Sequence, residues 1–136
     1  MEKYYLMNNF LNGAVDGSQV FQIDGNFGYS AAVAEMLLQS DNNVLRILPA
    51  LPENWNTGSF NGLAARGGFE VSCDWENRKV VGLEILSHAG NELCLRDFSV
   101  KRVISDNTEI AFVRRNGKLF LKTEKEKLYC FEVENL

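Results

Sequence analysis

The chain has 136 residues, 46% of them hydrophobic and 24% charged, with 14 basic against 18 acidic side chains for a formal net charge of -4. That length is about one domain, and that composition builds a core without disulfide staples, so disorder, collagen and a cystine scaffold are excluded. The acidic balance gives no overall attraction for phosphate backbones or anionic lipid, and no apolar run approaches the roughly 20 residues of a membrane helix, so neither a nucleic-acid nor a membrane partner is expected.

In chain order, Met1–Tyr5 lacks the basic start, apolar middle and small-residue cleavage site of a secretion signal, so a cytoplasmic location is the expectation, with any export encoded elsewhere. Residues 2–12 (EKYYLMNNFLN) place Tyr4, Leu6, Met7, Phe10 and Leu11 at spacings of three and four, which predicts a helix stopped by Gly13. Residues 14–28 (AVDGSQVFQIDGNFG) carry three glycines and predict an ordered loop. Residues 29–39 (YSAAVAEMLLQ) predict a second helix, apolar on nearly every side and therefore enclosed by other elements. With only the first helix available to cover it, self-association as a homodimer through this segment is expected, Leu37 and Leu38 among its contacts.

Pro49 and Pro52 in LPALPENW predict a strand-free connector. Beyond it the period becomes two. Phe69, Val71, Cys73 and Trp75 alternate with polar residues; Asn77 and Arg78 turn the chain; Val81, Leu83 and Ile85 face one side of the partner strand. Leu93 and Leu95, Ile110 to Val113, Leu119 to Leu121, and Tyr129, Phe131 and Val133 are further runs at a spacing of about ten, the rhythm of an antiparallel sandwich. The expected class is α+β: two N-terminal helices over 1–42, a connector over 43–58, and an antiparallel β-sandwich of six to eight strands over 59–136.

One stretch carries a chemical signal. FQIDGNFG, residues 21–28, gathers an acid, two amides and two aromatics beside glycines that let backbone approach a ligand. Asp24 is the candidate acid or base, with Gln22, Asn26 and Phe27 as substrate contacts; equally, Asp24 can cap the following helix or brace the loop. Asp16 has nothing in the sequence to bring it to Asp24. Glu35, on an apolar helix, needs a partner in the backbone or in Arg46 or Arg66. His88, in a turn-like stretch, is expected to be solvated and belongs to no triad. Trp75 belongs to a core face, whereas Trp55 is expected to be exposed.

Cys73, Cys94 and Cys130 lie inside strand-like runs without a metal-ligand spacing, so they read as buried apolar thiols, and no metal or cofactor is expected. GNFGYS lacks the lysine and the glycine order of a phosphate loop. The cations Arg114, Arg115, Lys118 and Lys122 are expected to form a solvated face offset by Asp106, Glu124 and Glu126.

Three motifs in fixed order, FQIDGNFGYSAAVAEMLLQS, LRILPALPENW and GSFNGLAARGGFEVSCDW, resemble the C-terminal end of glycoside hydrolase family 95, whose best-known activity is α-L-fucosidase. The resemblance covers about residues 20–86 closely. It implies that residues 1–42 are the end of an (α/α)6 toroid, that the rest is a small β-sandwich, and that the complete enzyme inverts configuration at a fucosylated glycan. It also implies that Asp24 helps an asparagine activate the attacking water. That asparagine and the catalytic acid, a glutamate, belong to earlier parts of the family's toroid, and no segment here matches them. Members often carry His-Pro-Pro before the motif, where this chain has Gly17-Ser18-Gln19-Val20, so a contact to the sugar can be missing and the substrate preference altered. An inverting pair stands about 6.5–9.5 Å apart. From Asp24 at a helix start, Glu35 would lie roughly 16 Å along the axis, too far to serve. The isolated chain is therefore expected to be inactive. The alternative is a non-catalytic sandwich that binds carbohydrate or a partner subunit.

Overall fold

A computed structural model describes residues 5–6, 11–13, 19–21, 23–41 and 43–134. The chain divides into two compact units, Met1–Glu35 and Met36–Leu136.

In the first unit, β1 (Tyr5–Leu6), β2 (Leu11–Gly13) and β3 (Gln19–Phe21) form a three-stranded antiparallel sheet, followed by α1 (Ile23–Leu37). The helix expected over residues 2–12 is thus replaced, where described, by strands. Its three-and-four spacing covered barely three turns and included Asn8 and Asn9, weak helix formers, and isolated helices that short are marginal. Conversely, α1 starts six residues before the expected helix and absorbs the end of the expected loop. Asp24 favours a first turn through the helix dipole but offsets only part of the cost of Gly25 and Gly28; the alanine-rich run Ala31–Ala34, a strong helix former, carries the helix. One helix, not two, stands among the described residues.

The helix is also not enclosed: none of its residues is buried, and Phe27 and Tyr29 are 61% and 59% exposed. At its end, the carbonyls of Leu37 and Met36, which lack helical partners, accept the N–H groups of Leu48 (2.8 Å) and Ala50 (3.2 Å) on either side of Pro49.

In the second unit, two mostly antiparallel sheets share one core. The six-stranded sheet runs β11 (Thr108–Ile110), β10 (Val100–Ser105), β14 (Lys127–Val133), β8 (Lys79–Ser87), β7 (Phe69–Glu76), β6 (Gly58–Ala65). The five-stranded sheet runs β12 (Val113–Arg115), β13 (Lys118–Lys122), β9 (Glu92–Arg96), β5 (Val44–Ile47), β4 (Leu38–Asp41), with one parallel pairing, Leu45 to Leu95. Val71, Cys73 and Ile85 from one sheet and Leu45, Leu93, Leu95 and Leu121 from the other are buried in a single cluster.

Two expectations need correction here. The stretch after residue 42 is not strand-free, because Val44–Ile47 pairs with β4 and β9 before the prolines are reached. The sheets hold more strands than six to eight, because Ile110 to Val113 is not one strand. Ile110 ends β11 in one sheet and Val113 opens β12 in the other, so an apolar run marks the crossing between sheets.

β7 alternates as its sequence requires, with Phe69, Val71, Cys73 and Trp75 buried. Asn77 and Arg78 both adopt positive φ (50° and 63°), the two-residue turn whose twist suits a hairpin. In β8 the period slips. Asp74 pairs with Gly82 but Trp75 with Val80, so Val81 is an extra residue in a bulge and points outward, 46% exposed.

Candidate functional site

The strand β3 delivers the chain into α1 at the FQIDGNFG stretch. Asp24 lies in the first helical turn and is exposed; Asn26 is half-buried; Phe27 is exposed; Gln22 lies outside the described residues. Being inside the first turn, Asp24 is favoured by the helix's positive end. Residues three or four apart share a helix face and residues two apart do not. Asp24 and Phe27 therefore stand together, an acid beside an exposed ring, while Asn26 lies on another side with Tyr29 and Ser30. Ser30 Oγ donates to the Asn26 carbonyl at 3.1 Å.

Glu35 sits on this same helix, eleven residues beyond Asp24 and thus roughly 16 Å along its axis. It is exposed, so water solvates it and the buried partner expected for it is not required. Of the segment before the motif, Asp16, Gly17 and Ser18 lie outside the described residues, and Gln19–Phe21 is strand.

Away from the motif, Trp75 is buried and donates its indole N–H to the Trp55 carbonyl at 3.0 Å. Trp55 is half-buried against the core, not exposed as expected. Cys73 and Cys94 are buried and Cys130 half-buried, all free thiols. Burial pushes the Cys73 thiol up to about 12, with Asp74 adding to it, which removes it as a nucleophile. Among the described residues, no three His, Cys, Asp or Glu side chains gather as a metal site requires. No described helix is long and apolar enough to cross a membrane.

His88 is part-exposed as expected, but its two carboxylate neighbours are not evident from its local sequence. Its Nε2 lies 3.2 Å from Glu70 and its Nδ1 3.5 Å from Glu126. The hydrogen bond to Glu70, with Glu126 beside it, raises the imidazole above its usual value. The signal lies in the register: Phe69 pairs with Ser87, which brings Glu70 and His88 together at the strand ends.

The fold defines a two-sheet β unit entered from a single helix. Residues 39–131 match the C-terminal domain of glycoside hydrolase family 95, and the chain belongs to that family. Over 117 residues it is 42% identical to Alpha-L-fucosidase 2 of Arabidopsis thaliana, covering 85% of this chain and 13% of that protein. It is 30% identical over 127 residues to Probable alpha-fucosidase A of Aspergillus niger (83% of this chain, 14% of that protein). Against Probable alpha-fucosidase A of Aspergillus oryzae it is 38% identical over 80 residues (52% and 11%). The chain thus spans only 11–14% of the length of these curated relatives. The family match begins at Gln39, after the motif, whereas the Arabidopsis match covers 85% of the chain and so must take in nearly all of α1.

Proposed function

We propose that this chain is the C-terminal part of an inverting α-L-fucosidase-like glycoside hydrolase, in which residues 39–131 fold as a β-sandwich and α1 contributes to the active site. Asp24 is the group that helps activate the attacking water, and Gln22, Asn26 and Phe27 contact the sugar. The observation carrying this reading is the 42% identity to Alpha-L-fucosidase 2 across a span that includes the motif. Three features support it. Asp24 and Phe27 are exposed on one side of a helix start, where an acid and a ring can meet a sugar together. The uncovered apolar helix fits a segment that completes its packing elsewhere. Inverting hydrolysis also needs a carboxylic acid about 6.5–9.5 Å from the base, and Glu35 stands too far along the same helix to supply it. The isolated chain is accordingly inactive, and in isolation it covers α1 with a second copy of itself.

The test is a chimera in which this chain replaces the matching end of the Arabidopsis relative. Fucose release from α-linked fucosides is expected, with the inverted anomer formed first by NMR, and Asp24→Asn should lower kcat about 100-fold or more. An unchanged kcat in Asp24→Asn overturns the assignment. It would favour the second reading, a non-catalytic module that binds carbohydrate or a partner subunit, for which the family match starting only at Gln39 speaks.

A further inference from the structure

The cations of the β12–β13 hairpin are not balanced by the acids that follow them in sequence. Glu124 and Asp106 hold Lys127 at 3.1 and 3.3 Å, and Glu126 faces His88. The sheet register instead lines cations up. Arg115 lies opposite Lys118, and Lys118 opposite Arg96. The parallel pairing of Leu45 with Leu95 sets Arg46 beside Arg96. The residues alternating with them, Leu45, Leu95 and Leu119, are buried, so Arg46, Arg96, Lys118 and Arg115 share the outward face of the five-stranded sheet. With strands about 4.8 Å apart, this row is about 14 Å long.

Like charges directly opposite one another destabilise a sheet. Here three such adjacencies stand in one row of a chain whose net charge is -4. The acids of this outward face are Asp41 and Glu92, and Asp97 reaches Arg96 from the strand end at 3.2 Å. Lys122 adds a further cation two residues beyond Phe120, so positive charge remains in excess. A cleft at the end of the row is lined by Gln39, Asp41, Val44, Arg46, Arg96 and Lys118. Its single apolar side chain is Val44. A protein partner would need a buried apolar or aromatic anchor there, whereas an amide and cations suit hydroxyls and anionic groups.

We propose that the row Arg115–Lys118–Arg96–Arg46 binds an anionic glycan, whose carboxylate or sulfate groups lie along the cations while Gln39 meets its hydroxyls. The choice of a glycan over other polyanions rests on the reading of the chain as part of a glycosidase. The bound anions relieve the repulsion that the sheet otherwise carries.

Calorimetric titration of the 136-residue chain at low salt, with short oligogalacturonate, its sulfated counterpart and a neutral oligogalactoside, tests this. Binding of one or both anionic glycans, weakening with salt and falling about tenfold or more in Arg96→Gln/Lys118→Gln, is expected. The control Lys101→Gln/Lys125→Gln, which removes two cations elsewhere, should bind as the parent does. The arm that binds identifies carboxylate or sulfate as the group recognised. No binding of either anionic glycan, equal binding of the neutral one, or equal loss in the control overturns the proposal. So does binding of oligoglutamate or a single-stranded oligonucleotide as tight as that of the glycan. The chimera's turnover of a neutral fucoside should be unchanged by Arg96→Gln/Lys118→Gln, so failure of this site and failure of the fucosidase reading are separate results.

Discussion

Trp75 donates its indole N–H to the Trp55 carbonyl, and the same ring lies where a side chain on Gly58 would have to go. A Cβ at Gly58 would overlap the Trp75 ring, and Gly58 pairs with Trp75 across β6 and β7. The indole therefore joins the proline-containing stretch to the sheet and fixes a glycine at its edge.

Gly58→Ala is accordingly expected to destabilise the chain by about 1–3 kcal/mol through overpacking. Trp75→Phe should also cost stability, through lost burial and an unpaired carbonyl on Trp55. Combined, the two should cost less than their sum, since the smaller ring makes room for the new methyl. Denaturant unfolding of the two single variants and the double variant measures the coupling, and strict additivity would refute the wedge.

The sequence made β7 legible because a half-buried strand prints its burial directly as alternation: Phe69, Val71, Cys73 and Trp75 are inward as read. It misled at Val81, because a bulge inserts one residue and shifts the phase, and only the partner strand reveals it. β10 (Val100–Ser105) was missed because Lys101 and Arg102 interrupt its apolar positions, where a register shift against β14 falls. The FQIDGNFG stretch was legible as a motif but not as helix, since its glycines argue locally for a loop. Only the hairpin end of the cation row, Arg115 and Lys118, is legible in the sequence: Arg46 and Arg96 are far from it along the chain and join it only through the pairing of three strands.

The bracketing of His88 by Glu70 and Glu126 makes stability depend on pH. The folded imidazole titrates above its ordinary value of 6.5. Its stabilising contribution is therefore fully present below that value and is lost as pH rises through the raised folded value. His88→Gln should lower the melting temperature relative to the parent in mildly acidic buffer, with the difference shrinking at alkaline pH. Melting curves taken across that range check it; a difference that grows with pH would contradict the arrangement. Glu70→Gln should flatten the same profile, because Glu70 is the larger cause of the shift.

Self-association through α1 must use residues other than Leu37 and Leu38. Leu38 lies in β4 and is 7% exposed within the core, and Leu37 packs against that core, so neither is free to meet a second copy. Phe27 and Tyr29 are the large exposed side chains of the helix. Sedimentation of the isolated chain should show a concentration-dependent dimer, weakened at least tenfold by Phe27→Ser/Tyr29→Ser, a loss of about 1.4 kcal/mol or more. A clean monomer at high concentration, or a dimer indifferent to these changes, would rule out the helix as the contact.

The core and the motif should respond to substitution on different scales. Val71 has 0% exposure and sits mid-strand between β6 and β8. Val71→Asp places an unpaired carboxylate among apolar neighbours and should cost several kcal/mol, enough to unfold a domain of ordinary stability. Asp24 is exposed in the first turn of α1, where an acid gains about 0.3–1 kcal/mol from the helix dipole. Asp24→Ala should therefore leave the melting of the second unit unchanged and affect the first only slightly. Thermal unfolding of both variants, followed by near-ultraviolet circular dichroism of Trp75, separates the cases. If Asp24→Ala proves as damaging as Val71→Asp, Asp24 is an anchor of the fold, and its assignment to water activation loses its physical basis.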